Sequence, residues 1–580
     1  MRYLIILLLA SIPAFGNLAV SEAYYRNTNN SLHIFLANKG GEPVTAKTPI
    51  VNGFDTAVLS RDELRPRDTL WYRCRPNPIP PGGIADLTIV LPKPPDKPVT
   101  VEVRTSSGQT ITKRVDCKPE PMRFQAIRFS RDLRTVYVYA RTNSTLRRIR
   151  LDGKDVGGAP SFGGIAFKRI KLQQPLVQGS YHVLEADSDD GHSTAYQIRA
   201  IPAEFLIGVY GIPSPENAED WAAHGINHYL SFTSLPAETL DLLGRHGISA
   251  GAKYIREPLV DRNAGKVSFF NEETAKSALA DLRPNLLYHE LVDEPDAADH
   301  FAGKWLGSSS MELIARAQFL ETADPGRYTF IQIDNTFRPR NYSVYGEAAD
   351  VLATHRYGLG SYLGGEAGST TVQRPAFLPD LLDSFKVFRL ANEPKPIFAV
   401  TQFFNLGPGR SGRPPTIGEM RLQCYAMIAS GARGVIHYIH SGSGGGGEGA
   451  RSKPLWDAMT GLHAELKRVG EVVESGTSAP DDWVKSSSPN VQAKAVISTD
   501  GIAVVLLNLS HRSSLESFTA KPVQAVEITL RIPPWIKPSL EVVPADGKSP
   551  AAARMANGEI RFMADEVTDA RCFLVIPKSR

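Results

Sequence analysis

Five acidic side chains fall within the fifteen residues LLYHELVDEPDAADH, Leu286 to His300, and two of them, Asp293 and Glu294, are adjacent and followed by Pro295. Carboxyl pairs are the working parts of enzymes that break glycosidic bonds, one protonating the leaving oxygen while the other attacks the sugar or activates water. The apolar start of this stretch reads as a strand, along which side chains alternate faces. Tyr288, Glu290, Val292 and Glu294 then share one face, and His289, Leu291 and Asp293 the other. Pro295 disfavours helical backbone at the residue before it, which predicts an extended Glu294 at the strand tip. A carboxylic acid at such a tip, partly desolvated by surrounding walls, keeps its proton to higher pH and can deliver it to a leaving group. Glu294 is therefore the expected general acid. Glu290, two residues deeper, is expected to make an ion pair with Lys253, and Asp296 and Asp299 to cap a helix or face water.

The frame that would hold such a tip runs from about residue 204 to 476. FLIGVYGI, HYLSF, ISAGAKYI, LLYHELVDEP, YTFIQIDN, DVLATHRYGL, PIFAVTQFF and GVIHYIHSG read as eight strands, most of them followed by a helical pattern such as SPENAEDWAAHGI or NEETAKSALADL. That rhythm predicts a (β/α)8 TIM barrel, with an irregular link between the fifth and sixth strands. Active sites of such barrels lie at the C-terminal strand ends. The residues expected to bind substrate there are Tyr210, Lys253, Asp334, His355, Tyr357, Gln402 and Tyr438. Short runs rich in β-branched and aromatic residues flank the barrel, divided by stretches such as PNPIPPGG and PKPPDKP. They predict a β-sandwich over 24–119, a second over 120–203 and a C-terminal one over 477–580. Bracing the barrel is the expected role of the N-terminal modules, since no cluster of exposed aromatics marks a sugar-binding face.

The segment MRYLIILLLASIPAFG has one Arg, a short apolar run and then small residues, the pattern of a secretory signal peptide, with cleavage near Gly16 or after Ala23. The expected leader is 1–23, and the expected location secreted or periplasmic. No later apolar run is long enough for a membrane span. At 580 residues the chain implies several domains, and its net charge of +4 is spread without a basic run, which argues against nucleic acid as a partner. Of the four cysteines, Cys74 and Cys117 could pair within one sandwich, while Cys424 and Cys572 are expected as buried thiols. His437 and His440 fall on opposite strand faces, so no metal is expected. SGSGGGGEG lacks the Lys-Ser/Thr of a phosphate loop and reads as a mobile rim with Glu448 solvated. With no dinucleotide fingerprint and no Gly-x-Ser-x-Gly elbow, no cofactor is expected and esterase chemistry is disfavoured.

The seventh strand, PIFAVTQFF, ends in Gln402 and offers no acid, although a second carboxylate is normally required about 5–10 Å from the first. Asp334 or Glu257 could fill the role, as could the loop acid Glu448. A nucleophile belonging to the substrate could also do so: a 2-acetamido group attacks its own anomeric carbon when an Asp orients its N–H and a neighbouring Glu protonates the leaving oxygen. Strict alternation would send Asp293 and Glu294 to opposite faces, against that last option. The strand-end VDEP, the missing strand-seven acid and the flanking β-domains resemble the exported bacterial β-N-acetylgalactosaminidases of glycoside hydrolase family 123. The resemblance implies Asp293 as the residue orienting the acetamido group and Glu294 as acid/base. The expectation is thus an exported glycoside hydrolase acting on a β-linked carbohydrate, either substrate-assisted or two-carboxylate. A noncatalytic carbohydrate-binding or cell-surface protein on a degenerate barrel is the alternative from another class.

Overall fold

A computed structural model describes residues 18–578 apart from 56–70, 92–93, 119, 232, 254–259, 262–265, 268–278, 280–281, 296–309, 335–339, 360–376, 407–411, 441–451 and 537–538. The chain divides at Glu120 into two compact units. The first is a pair of four-stranded antiparallel sheets. One sheet runs Leu18–Arg26, Ser31–Asn38, Ile84–Val90, Trp71–Arg75, and the other Phe54–Asp55, Ile50–Val51, Val99–Arg104, Thr110–Val115. Alternating apolar residues such as Ile34, Leu36, Leu87, Ile89 and Val101 fill the space between them. The first strand begins at Leu18, inside the expected leader, and pairs with Asn38. Cleavage after Ala23 would remove most of that strand, whereas cleavage after Gly16 would spare it. The expected Cys74–Cys117 bond is not formed, and all four cysteines are free thiols. Cys74 lies within one sheet and Cys117 just beyond the last strand of the other, each with its Sγ turned to a nearby carbonyl, that of Pro76 or Val115.

The second unit contains a closed barrel of eight parallel strands. These are β1 (Leu206–Tyr210), β2 (His228–Leu230), β3 (Ser249–Ala252), β4 (Leu286–Asp293), β5 (Tyr328–Ile333), β6 (Val351–His355), β7 (Ile397–Gln402) and β8 (Gly434–Tyr438). Most of their residues are buried, as parallel strands covered on both faces require. Among the described residues its helices are α1 (Pro215–Ala223), α2 (Ala237–Arg245), α3 (Ser310–Ala323), α4 (Arg340–Gly346), α5 (Phe377–Asn392), α6 (Ile417–Ala429) and α7 (Lys453–Val473). Ser214 caps α1 by accepting from the Asn217 N–H, with Pro215 in the first turn, and Thr416 with Glu419 forms a capping box on α6. The irregular link between β5 and β6 is the seven-residue α4. The helix expected at NEETAKSALADL falls largely outside the described residues.

The lumen is filled by Leu206, Leu230, Tyr288, Phe330, Ala353, Phe398, Val400 and Ile436. Tyr288 crosses to β3, where a Cβ on Gly251 would lie 2.0 Å from its ring, and its hydroxyl is 2.7 Å from His228 Nε2. Around the barrel lie two further sandwiches, one spanning Arg123–Arg199 and one from Thr477 to Pro577. The first is fastened to the barrel base by buried polar contacts: Arg199 with Asp350 at 2.7 Å, and Arg128 Nη1 donating to the Pro394 carbonyl at 2.7 Å. Its Tyr139, Ile165 and Phe167 also share a core with Trp483, Val504 and Phe562 of the second. Bonds this heavily desolvated make the sandwiches part of the barrel's support.

Candidate active site

The strand carrying the acidic stretch departs from strict alternation. Glu290 pairs with Phe330 and Asp293 with Gln332, so three steps on β4 match two on β5. The extra residue is a bulge at Leu291–Val292. The Leu291 carbonyl accepts from the Arg316 guanidinium, which is itself buried on α3. Since Phe330 and Gln332 are both lumen-facing, Asp293 is brought onto the lumen face with Glu290, which corrects the expected face pattern.

Glu294 is not extended, as Pro295 led us to expect, but left-handed with φ +45. Its N–H donates to the Gln332 carbonyl at 3.0 Å, fixing this turn where β4 leaves the sheet. A non-glycine residue in that region is strained by roughly 1–2 kcal/mol. Bulge and turn together send two adjacent carboxyl groups into one mouth, removing the objection that alternation raised.

Glu294 is 32 % exposed and Oε1 lies 3.4 Å from His355 Nδ1. Gln332 Nε2 donates to the same oxygen at 3.3 Å, and Gln332 Oε1 accepts from the Tyr210 hydroxyl at 2.7 Å. The other His355 nitrogen, Nε2, is 3.2 Å from Asp334 Oδ1. Glu294 and Asp334 thus flank one imidazole, in the range of roughly 5–10 Å that separates glycosidase carboxyl pairs. Burial pulls the His355 pKa down, but Glu294 and Asp334 outweigh it and hold the ring up at about 9, so it is a cation at neutral pH. The carboxyl that the barrel walls desolvate is Asp293. Burial first, and the charge of Glu294 second, push it up to about 7 against the pull of Lys253 and His355.

Of the residues expected to meet substrate, Lys253, Asp334, His355, Tyr357 and Tyr438 are brought to this mouth. Tyr357 stacks on His355 with ring centroids 4.2 Å apart, and Tyr438 and Phe404 complete an aromatic wall. Tyr210 is fully buried and braces Gln332 from below. Gln402 is also fully buried on the lumen side of β7, its Oε1 accepting from the Leu359 N–H at 3.2 Å. Glu290 and Lys253 make no direct ion pair; Lys253 acts on Glu290 through its field alone. His437 packs against His463 (3.1 Å) and His440 accepts from Trp221, both away from the carboxyls. Tyr254, Glu257, Asp296, Asp299, Asn335 and Glu448 lie outside the described residues.

Phe404 was missed at the level of sequence, although continuing the 398, 400, 402 alternation of β7 by one step would have found it. Among the described residues no group of three His, Cys, Asp or Glu is disposed to hold a metal. A separate cavity of about 480 Å³, lined by Arg131, Glu204, Arg327 and Tyr328 among others, opens at the opposite, N-terminal end of the strands. Its two arginines are engaged by Glu474 and Asp324.

No family model matches the chain, and no curated protein matches it. Solved structures match remotely. A cycloisomaltooligosaccharide glucanotransferase from Paenibacillus sp. is 10% identical with a TM-score of 0.42, over 78% of this chain and 99% of that one. A GH30 endoxylanase from Clostridium papyrosolvens is 11% identical, TM-score 0.38, over 65% and 98%. A glycoside hydrolase family 5 protein from Bacteroides vulgatus is 13% identical, TM-score 0.40, over 66% and 91%. At such scores the likeness is too remote to bear on this chain's chemistry.

Proposed function

We propose that the chain is a glycoside hydrolase that cleaves a β-linked 2-acetamido sugar with the substrate's own acetamido oxygen as nucleophile. The observation that carries this is the bulge and left-handed turn that open Asp293 and Glu294 into one mouth. Burial and the charge of Glu294 keep a proton on Asp293 up to about pH 7. An acetamido N–H donating to Asp293 favours its carboxylate form, and the proton so released passes to Glu294, the more exposed partner, for delivery to the leaving group.

Glu294 then protonates the glycosidic oxygen as the acetamido oxygen closes on the anomeric carbon. The leaving alcohol departs with that proton, and a cyclic oxazolinium remains. Water, deprotonated by Glu294, opens it, returning the proton to the pair. Cationic His355 offsets charge between Glu294 and Asp334, while Tyr357, Tyr438 and Phe404 offer apolar surface to a sugar face.

A second reading rests on His355 holding Asp334 opposite Glu294: Asp334 serves as the base or nucleophile of a two-carboxylate glycosidase. An aryl N-acetyl-β-galactosaminide and the matching plain β-galactoside separate the two in one assay. Cleavage of the acetamido sugar alone, abolished by Glu294→Gln, is expected. Equal cleavage of both sugars would transfer the role to Asp334. Binding without cleavage across a glycan panel would refute hydrolysis.

A further inference from the structure

Beneath the Asp293–Glu294 pair sits a third carboxyl with no role in that chemistry. The bulge makes Glu290 and Asp293 successive lumen-facing residues of β4, opposite Phe330 and Gln332, and so roughly 7 Å apart along the strand. Glu290 is 2 % exposed, and neither carboxyl oxygen has a hydrogen-bond partner among the described residues. Oδ1 of Asp293 is likewise buried and unpartnered. A core position of this kind ordinarily takes an apolar residue, because a buried polar group without a partner is costly.

The charged and titratable groups facing this part of the lumen, among the described residues, are Tyr210 on β1, Lys253 after β3, Tyr288 on β4 itself, Asp293 and Glu294 above it, Asp334 after β5, and His355 and Tyr357 at the end of β6. Burial, then the charge of Asp293, keeps Glu290 well above the ordinary carboxylate range, with Lys253 opposing. Glu290 is therefore a neutral carboxylic acid that has a proton to donate, and the acceptor one step up its own face is Asp293.

We propose that Glu290 is a positioning residue: it donates a hydrogen bond to Asp293 once substrate has drawn Asp293 into its carboxylate form, holding that carboxylate on the acetamido N–H. The inference rests on the substrate-assisted reading. It explains why an acid occupies a lumen layer otherwise built from Tyr288, Phe330 and Phe398. In the present structure the two carboxyls are not bonded to each other, and rotation of the Asp293 carboxyl downward is what joins them.

The test uses the full chain with Glu290→Gln, which keeps a donor, and Glu290→Met, which keeps length without one. Two readouts need no activity: thermal stability, and the ¹³C titration of the labelled Asp293 carboxyl, assigned by its loss in Asp293→Asn. The Met variant is expected to be at least as heat-stable as wild type, with the Asp293 titration moved upward. With the acetamido substrate its kcat falls about ten- to a hundredfold, the worth of a hydrogen bond to a charged group, at little-changed KM. The Gln variant restores both kcat and the titration. An Asp293 titration that is the same in wild type and the Met variant overturns the proposal, as does a Met variant with wild-type kcat. Should wild type cleave no glycoside, hydrolysis itself fails, and the titration alone still decides whether Glu290 bonds Asp293.

Discussion

Asp293→Asn should make the protein less sensitive to alkali. An ordinary aspartate titrates at 3.8 and Asp293 at about 7, so between those values the native chain holds a proton that the unfolded chain has released. A raised carboxyl of this kind contributes stability that is complete below pH 3.8 and is lost as pH rises through 7. From pH 5 to 7 the loss is two pH steps at ~1.36 kcal/mol each, or about 3 kcal/mol. The asparagine variant lacks this loss but buries an amide with unmade hydrogen bonds, a pH-independent cost of about 1–3 kcal/mol. Melting of wild type and variant is to be followed at pH 5 and pH 8 at one salt concentration. The wild-type melting temperature should drop further between the two conditions by several degrees, at about 2 °C per kcal/mol in a unit of this size. Parallel drops in both proteins would refute the account of Asp293 as a desolvated, proton-holding group.

Activity should follow the same proton. If the proton that Asp293 holds is the one delivered to the leaving group, kcat/KM falls above about pH 7, and a pH–rate profile flat to pH 9 would contradict that route. Glu294→Gln should lower kcat by about 10²–10⁴ on a substrate with a poor leaving group, measured by initial rates. Glycine at 294 accepts the left-handed turn that alanine resists, so Glu294→Gly should be more stable than Glu294→Ala by about 1 kcal/mol in urea unfolding, with both inactive. Gly251→Ala drives a Cβ to 2.0 Å from the Tyr288 ring and should destabilise the barrel by about 1–3 kcal/mol, visible as a lowered urea midpoint.

Much of the architecture was open to reading because burial leaves a plain signature. IFAV and LIGVY are short continuous apolar runs of the kind found in strands covered on both faces, and capped helices such as the one opened by Ser214 punctuate them. The place of the acidic stretch at the tip of β4 was legible in the sequence, as were those of Asp334, His355 and Tyr357 at the ends of β5 and β6. What escaped was local geometry set by distant partners. No glycine marks the bulge; it is held by Arg316, a charged residue buried on a helix some two dozen positions later. Pro295 pointed to an extended Glu294, yet the Gln332 carbonyl draws its N–H into the opposite conformation. The Cys74–Cys117 pairing was suggested by their sharing one N-terminal β-domain of an exported chain, and each sulfur is instead turned to a local carbonyl.

The bulge at Leu291–Val292 works as a frameshift within a sheet. A regular strand that kept both residues would alternate strictly and turn Asp293 out of the lumen with every acidic letter of the segment in place, whereas loss of one of them, and of the bulge with it, would leave Asp293 opposite Gln332. Two chains could then agree at Asp-Glu-Pro, align without mismatch at those positions and differ in which acid faces the lumen. For this segment, comparison between relatives has to weigh the number of residues between the lumen tyrosine and the acidic pair against the bulge that absorbs one of them, because the two together set which acid faces the lumen.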